Sequence, residues 1–316
     1  MADFPDFSLI RNSSVLWLVE PFALRQFLSF ASVRIDAEQA KAAAAVTPQR
    51  TGKVGIVPVH GVLETRRSAW GEMLGMTSYE RIGTAFDTLM ADDGISSIIF
   101  DVASPGGMAY GAPELADKIY SARGRKPIIA VANPLAASGA YWIAAAADRL
   151  ISVSSGDVGS VGVIMQHVDL SGAAEASGAK VTTIRSSGSP YKAEGSDMEP
   201  LTSEAKQHFQ SRADEIYDRF VADLARFRGV SVEHVNEHFG QGRVVSSKAA
   251  MRTGMIDRVD TMQNVAAKVL QNRYRMAGAA AEDNWNAPTV QERRLERVQA
   301  LHKLAEQVKT TIQETA

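Results

Sequence analysis

Ser97-Ile98-Ile99-Phe100-Asp101-Val102-Ala103-Ser104-Pro105-Gly106-Gly107 opens as an apolar run and closes on a proline and two glycines. A run this short and this apolar, bounded by breakers, reads as a strand buried on both faces. Residues 54–59, 127–132, 150–153, 161–165 and 181–184 repeat the signature, while 78–91, 112–122, 138–147, 172–177 and 203–228 between and after them read as helices. Such alternation predicts an α/β domain, its largely parallel sheet wrapped by helices.

Outward from that core, residues 47–53 hold breakers and no periodicity, so they read as a linker, and a domain is expected over 53–275. The segment 249–259, with Gly254-Met255-Ile256-Asp257, closes its compact part. Residues 1–52 form the first appendage: Pro21 precedes Phe22, Leu24, Phe27, Leu28 and Ala31 at helical spacing, which predicts a helical extension. The second, 276–316, is a linker and then an amphipathic helix opened by the capping box Thr289-Val290-Gln291-Glu292. Val298, Leu301, Ala305, Val308 and Ile312 give that helix a heptad seam, which either folds back or docks on a partner.

Composition narrows the function. Of 316 residues 45% are hydrophobic and 22% charged, as in soluble globular proteins. Lys and Arg number 34 against 36 Asp and Glu, a net charge of −2, so no global field is available to hold nucleic acid or an anionic membrane. The absence of cysteine excludes disulfides, thiolate–zinc sites and a cysteine nucleophile. The apolar stretch 13–33 is broken by Glu20, Pro21 and Arg25 and falls short of the roughly 18 apolar residues of a membrane span. A cytoplasmic protein is expected, with neither nucleic acid nor membrane as partner.

Three stretches differ from ordinary connections. Gly106-Gly107, after a strand, either makes a simple turn or turns backbone N–H groups toward a carbonyl oxygen as an oxyanion hole. Ser138, in Ala136-Ala137-Ser138-Gly139-Ala140, sits at a helix start among small residues, as an N-cap or as an accessible nucleophile. The G-x-S-x-G elbow is not met, since Ala136 and Ala140 stand at its glycine positions. Lys192, in Pro190-Tyr191-Lys192-Ala193-Glu194-Gly195, is either solvated surface or a base. Acting as a base requires a pKa lowered by about three units, hence a dry site without a carboxylate partner.

His234-Val235-Asn236-Glu237-His238 matches H-x-x-E-H, a zinc pattern whose third ligand would have to be Glu292 or Glu296. Solvent exposure of both histidines is the alternative. His60 and His167 read as packing residues, with a Ser–His–Asp triad as the other option.

The ordered set Ser104-Pro105-Gly106-Gly107, Ala137-Ser138-Gly139 with Tyr141 and Ala144, Gly159-Ser160-Val161-Gly162-Val163 and Tyr191-Lys192-Ala193 resembles the signal peptide peptidase A (protease IV) family of serine–lysine peptidases. The likeness runs from about Val54 to about Val259. It implies a ClpP/crotonase-like fold of repeated ββα units and a serine endopeptidase that uses no metal and no cofactor. Position by position it implies Ser138 as nucleophile, Lys192 as general base and Ser160 as the hydroxyl that holds the amine. Gly106 and Gly107 would form the oxyanion hole, with Gly139 contributing. The dyad is complete within one chain or shared between neighbours, and a homo-oligomer is implied.

The strings Ile56-Val57-Pro58-Val59-His60-Gly61 and Val163-Ile164-Met165-Gln166-His167-Val168-Asp169 look like the anchorless phage and prophage branch. A capsid or scaffolding protein is then the expected substrate, cleaved during prohead assembly in the host cytoplasm. A housekeeping peptidase of the same family and a non-catalytic assembly scaffold are the alternatives. The Ala-rich stretches 42–46 and 277–281 are candidate self-processing sites.

Overall fold

The strand read from residues 97–102 stands in the middle of the larger of two sheets in the computed structural model, which describes residues 17–19 and 46–271. In chain order the strands are β1 (Trp17–Val19), β2 (Gln49–Thr51), β3 (Val54–His60), β4 (Leu63–Glu64), β5 (Thr77–Ser78) and β6 (Ser97–Ser104). They continue as β7 (Gly106–Met108), β8 (Ile128–Ala137), β9 (Arg149–Ser152), β10 (Asp157–Gly159), β11 (Val244–Ser246) and β12 (Arg258–Val259). The helices are α1 (Ala69–Met73), α2 (Tyr79–Ala91), α3 (Ala112–Ser121), α4 (Gly139–Ala145) and α5 (Ser171–Ala176). After them come α6 (Ser203–Arg228), α7 (Val232–His238), α8 (Ser247–Thr253) and α9 (Met262–Leu270).

The large sheet runs β11-β10-β8-β6-β3-β2, with β9 also on β8 and β12 on β9. Pairs β3–β6, β6–β8, β8–β9 and β8–β10 are parallel, while the outer pairs β2–β3 and β10–β11 are antiparallel. One edge of the long β8 serves two strands. Its first half pairs with β9 through Ile129–Arg149 to Ala132–Ser152, and its last three residues pair with β10. The parallel core is apolar on both faces, as crossover topology demands. Ile98, Phe100, Val102, Ile128 and Ala130 pack with residues of α2, α3, α4 and α6, whereas Ile99, Ile129, Val131 and Ile151 meet Val265 and Val269 of α9. A mixed α/β fold with a parallel-rich sheet was therefore legible in the sequence.

Local signals set the helix limits. Thr202 caps α6 by accepting the Ala205 amide at 3.1 Å, and Gly229, at φ +65°, ends it in the left-handed conformation that glycine tolerates without a Cβ clash. Ser78 likewise accepts the Arg81 amide at the start of α2.

Three expectations need correction. Gln49–Thr51, inside the segment read as linker, is strand β2, folded back on β3 through the Gly52 turn. Residues 161–165 hold only an isolated bridge at Ile164, with Val161 buried and Val163 and Met165 packed on the core, and 181–184 form no strand, Val181 and Ile184 being exposed. Gly106-Gly107 lies in a strand, β7, of a second sheet ordered β1-β7-β4-β5. The helix expected from Phe22 to Ala31, the C-terminal seam and both Ala-rich stretches lie outside the described residues, apart from Val46 at the end of one.

Candidate active site

Ser138 joins the C-terminal end of β8 to the start of α4, at the carboxyl end of a parallel strand where open α/β sheets place their ligands. Its backbone is left-handed, φ +52° and ψ −121°, a conformation that costs a non-glycine residue of order 1–3 kcal/mol and persists only where the surroundings impose it. The imposing contacts are explicit. The Ser138 amide donates to Gly159 O at 2.6 Å, and the Trp142 amide donates to Ser138 O at 2.9 Å. Ala136 and Ala140 are wholly buried, so small residues pack the turn where an elbow usually carries glycine.

The hydroxyl is not an N-cap: it makes no cap hydrogen bond, and Oγ is buried with no hydrogen-bond partner among the described residues. Leaving a buried hydroxyl unmatched costs about 1–3 kcal/mol, a reason to look for a ligand or a reacting group at that atom.

α4 is held as firmly as its serine. Trp142, wholly buried, stacks on Phe220 of α6 at 4.3 Å and donates its indole N–H to Asp223 at 3.1 Å. Tyr141 Oη donates to Met255 O at 2.9 Å, tying the helix to the Gly254–Asp257 closure. Arg123 donates to the carbonyls of Ala145, Ala146 and Ala147, satisfying acceptors that the helix end leaves open. Sequence reasoning missed Arg123 and Asp223, whose partners are remote in the chain.

Ser160 comes beside Ser138. In the parallel β8–β10 pair Gly159 is opposite Ala137, and the two serines are the residues that follow the strand ends. Ser160 is buried and also left-handed, φ +53°, with its amide donating to Arg243 O at 2.8 Å. Gly159 must be glycine: φ is +116° and a Cβ would meet Arg243 O at 2.9 Å.

The glycine strand lies against α4, and β6, which leads into it, is registered on β8 at Ser104–Ala136, two residues before Ser138. Gly106 has φ +95° and donates its amide to Ser104 Oγ at 3.2 Å, while Ser104 Oγ donates to Gly61 O at 2.6 Å. Ser104 is thus a positioning residue for the first glycine. A Cβ on Gly107 would lie 1.9 Å from Leu63 O, so the backbones of β7 and β4 approach as only glycine allows. Gly139, the first residue of α4, is buried.

Lys192 is elsewhere in this arrangement. It lies on an irregular arm between β10 and α6, where its amide donates to Ser189 O at 3.1 Å and its carbonyl accepts from Arg185 Nε. Tyr191 Oη donates to Glu204 at 2.8 Å and Arg185 pairs with Glu199 at 2.6 Å, so the arm is braced onto the start of α6. Within a single chain the Lys192 side chain is exposed and has no hydrogen bond to Ser138 or Ser160. The same arm exposes Val168, Val181, Tyr191 and Ile184, the last at 92%.

The histidines serve other contacts. His60 Nε2 lies 3.3 Å from Asp101 Oδ2, and Asn133 donates to the other oxygen at 3.1 Å. Burial alone would raise the Asp101 carboxyl, but these hydrogen bonds hold it below the usual carboxylate range. His167 Nε2 is 3.0 Å from Ser196 O; neither imidazole touches Ser138. His234 Nε2 is 2.8 Å from Thr253 O with its ring 4.6 Å from that of His238, and no group of three potential metal ligands occurs among the described residues. Glu292 and Glu296 fall outside them. No helix among the described residues is long and apolar enough to cross a membrane.

A left-handed serine between a parallel strand and a buried helix, with a glycine strand alongside, is the layout of a hydrolase site. Residues 121–274 match the model of peptidase family S49. Among its relatives are the head-tail preconnector protein GP5 of Enterobacteria phage P21, 32% identical over 206 residues, and the capsid assembly protease C of Escherichia phage lambda, 31% identical over 206. These alignments cover 65% of this chain and 40% and 46% of the two relatives. A putative signal peptide peptidase SppA of Enterococcus faecium is 27% identical over 183 residues, 58% of this chain and 52% of the relative. The chain thus spans about half the length of these relatives. The resemblance read from its motifs is borne out, with phage head proteins among its kin.

Proposed function

We propose that the chain is a serine endopeptidase of the phage head-maturation type, with Ser138 as nucleophile and Lys192 as general base. The observation that carries this reading is the buried Ser138 Oγ, unmatched and held on a strained backbone at the end of β8. Neutral Lys192 takes the hydroxyl proton, the alkoxide attacks the peptide carbonyl, and the amine leaves with that proton. Water, deprotonated by the same lysine, then hydrolyses the acyl-enzyme. Backbone N–H groups at Gly106 and Gly107, with Gly139, bind the oxyanion, the Gly106 amide exchanging Ser104 Oγ for it, and Ser160 orients the amine. Neither metal nor cofactor has a part in these steps.

The dyad is shared between copies of a homo-oligomer. Support comes from the exposed Lys192 on an arm with four exposed apolar side chains: a neighbour covering that arm both buries the apolar surface and dries the amine. In this reading 53–275 is a ClpP/crotonase-like peptidase domain, 1–52 and 276–316 are appendages, and the substrate is a capsid or scaffolding protein met in the host cytoplasm or prohead. Two of the relatives carry head-assembly names, which favours that substrate.

The test is labelling by a fluorophosphonate probe, followed by incubation with coat and scaffolding proteins and mapping of the products. The wild type is expected to label and to cleave, and Ser138→Ala to do neither. Equal labelling of both proteins overturns the nucleophile assignment, and a wild type that neither labels nor cleaves leaves a scaffold as the reading.

A further inference from the structure

β7 has two edges. One is filled by β4, where Leu63 is paired with Gly107 so closely that no side chain fits. The other carries β1, antiparallel, with Trp17 opposite Met108, Leu18 opposite Gly107 and Val19 opposite Gly106. A strand from near the start of the chain therefore lies on the two glycines that stand next to the Ser138 helix. In sequence, Val15-Leu16-Trp17-Leu18-Val19 is an uncharged, strand-prone run stopped by Glu20-Pro21, the composition of a segment that binds by adding itself to a sheet edge. An extended peptide reaching Ser138 along the glycine strand needs this same edge, because the opposite one is closed.

We infer that β1 is a resident occupant of the substrate strand's place: the chain's own Trp17–Val19 pairs with β7, and an extended peptide must displace it to bind. The inference rests on the peptidase reading for the identity of the competing peptide, but not for the competition itself. An occupant present nine-tenths of the time lowers the apparent affinity of a competitor about tenfold.

The chain has no cysteine, which allows a clean lock. Trp17 and Met108 are direct cross-strand partners, and the Cα separation of about 4.5–5.5 Å in such pairs suits a disulfide. In the full chain carrying Trp17→Cys and Met108→Cys, oxidation is expected to form this bond. Binding of a fluorescent synthetic peptide spanning residues 13–22 is then expected to fall at least about tenfold relative to the reduced protein, and to recover with reductant. Leu18→Pro and Val19→Pro in the full chain are the converse variants. Proline removes a ladder donor, so at least one of them should bind the peptide about tenfold more tightly than the wild type. Failure of the disulfide to form, or equal peptide binding by the oxidised and reduced proteins, overturns the inference. If binding follows the lock but no form of the protein hydrolyses peptide, the occupant stands and the peptidase reading falls.

Discussion

The Ser138 amide donates to Gly159 O at 2.6 Å, and this bond joins the ends of two parallel strands at the point where both turn to positive φ. It fixes Ser138 against Ser160. Gly159→Ala adds a Cβ 2.9 Å from Arg243 O at a φ of +116°, so the β10 end has to shift. We expect a loss of about 1–3 kcal/mol in stability by denaturant melts, and a fall in kcat/KM of at least about a hundredfold, since small misplacements at a reacting atom are costly.

Ser138→Ala separates chemistry from folding. Removing an unmatched buried hydroxyl lifts a desolvation penalty, so the melting temperature should stay level or rise while turnover falls by about a thousandfold or more. Calorimetry with a peptide hydrolysis assay reads both. A clear drop in stability would mean that Oγ has a partner after all.

Mixing Ser138→Ala with Lys192→Ala tests where the dyad forms. If the two residues meet across an interface, equal amounts of the inactive proteins, reassembled at random, recover about a quarter of wild-type activity, because one site in four receives an intact serine and an intact lysine. If they meet within one chain, nothing is recovered.

Asp223→Ala strips the indole N–H of the wholly buried Trp142 of its acceptor. About 1–3 kcal/mol should be lost, seen as a lower melting temperature. Trp142→Phe in the same background should recover part of it, since no donor is then stranded.

Asp260 and Lys268 form an ion pair at 2.6 Å beneath α9, with the lysine 0% exposed. Burial would raise the Asp260 carboxyl, but hydrogen bonds from Lys268, Asn264 and the Thr261 amide bring it below its ordinary 3.8. A depressed carboxylate stabilises the fold above its unfolded value and loses that contribution as pH falls through the folded value. Thermal melts from pH 7 to pH 2 should therefore show an acid loss below about pH 4 that is shallower in Asp260→Asn, where only the other depressed carboxylates such as Asp101 remain. That variant should itself be about 3–5 kcal/mol less stable at pH 7, because the ammonium stays buried without its carboxylate.

The central strand and its crossovers were readable because burial on both faces writes an unbroken apolar run into the sequence, as in Ile98-Ile99-Phe100. β7 was not: Gly106-Gly107-Met108 has the composition of a turn, and it becomes a strand only through Leu63 and Trp17–Val19, partners remote in the chain. β2 was hidden for the same reason, since Gln49-Arg50-Thr51 carries no alternating apolar signal. The apolar runs at 161–165 and 181–184 misled in the other direction, because an apolar residue signals a partner without saying whose. Ser138 was singled out from its small neighbours, but its backbone was not legible, since alanines hold a turn that glycine usually marks. Ser104 stood in the quoted motif; its grip on the Gly106 amide became visible only in three dimensions.

If Lys192 is the general base, as proposed, its place on a solvent-facing arm makes proteolysis a matter of crowding. In the proposed arrangement, with serine and amine contributed by different copies, dilute chains would be inert and activity would climb faster than linearly as they are packed together. A shell that gathers many copies into a small volume would start its own digestion simply by closing around them.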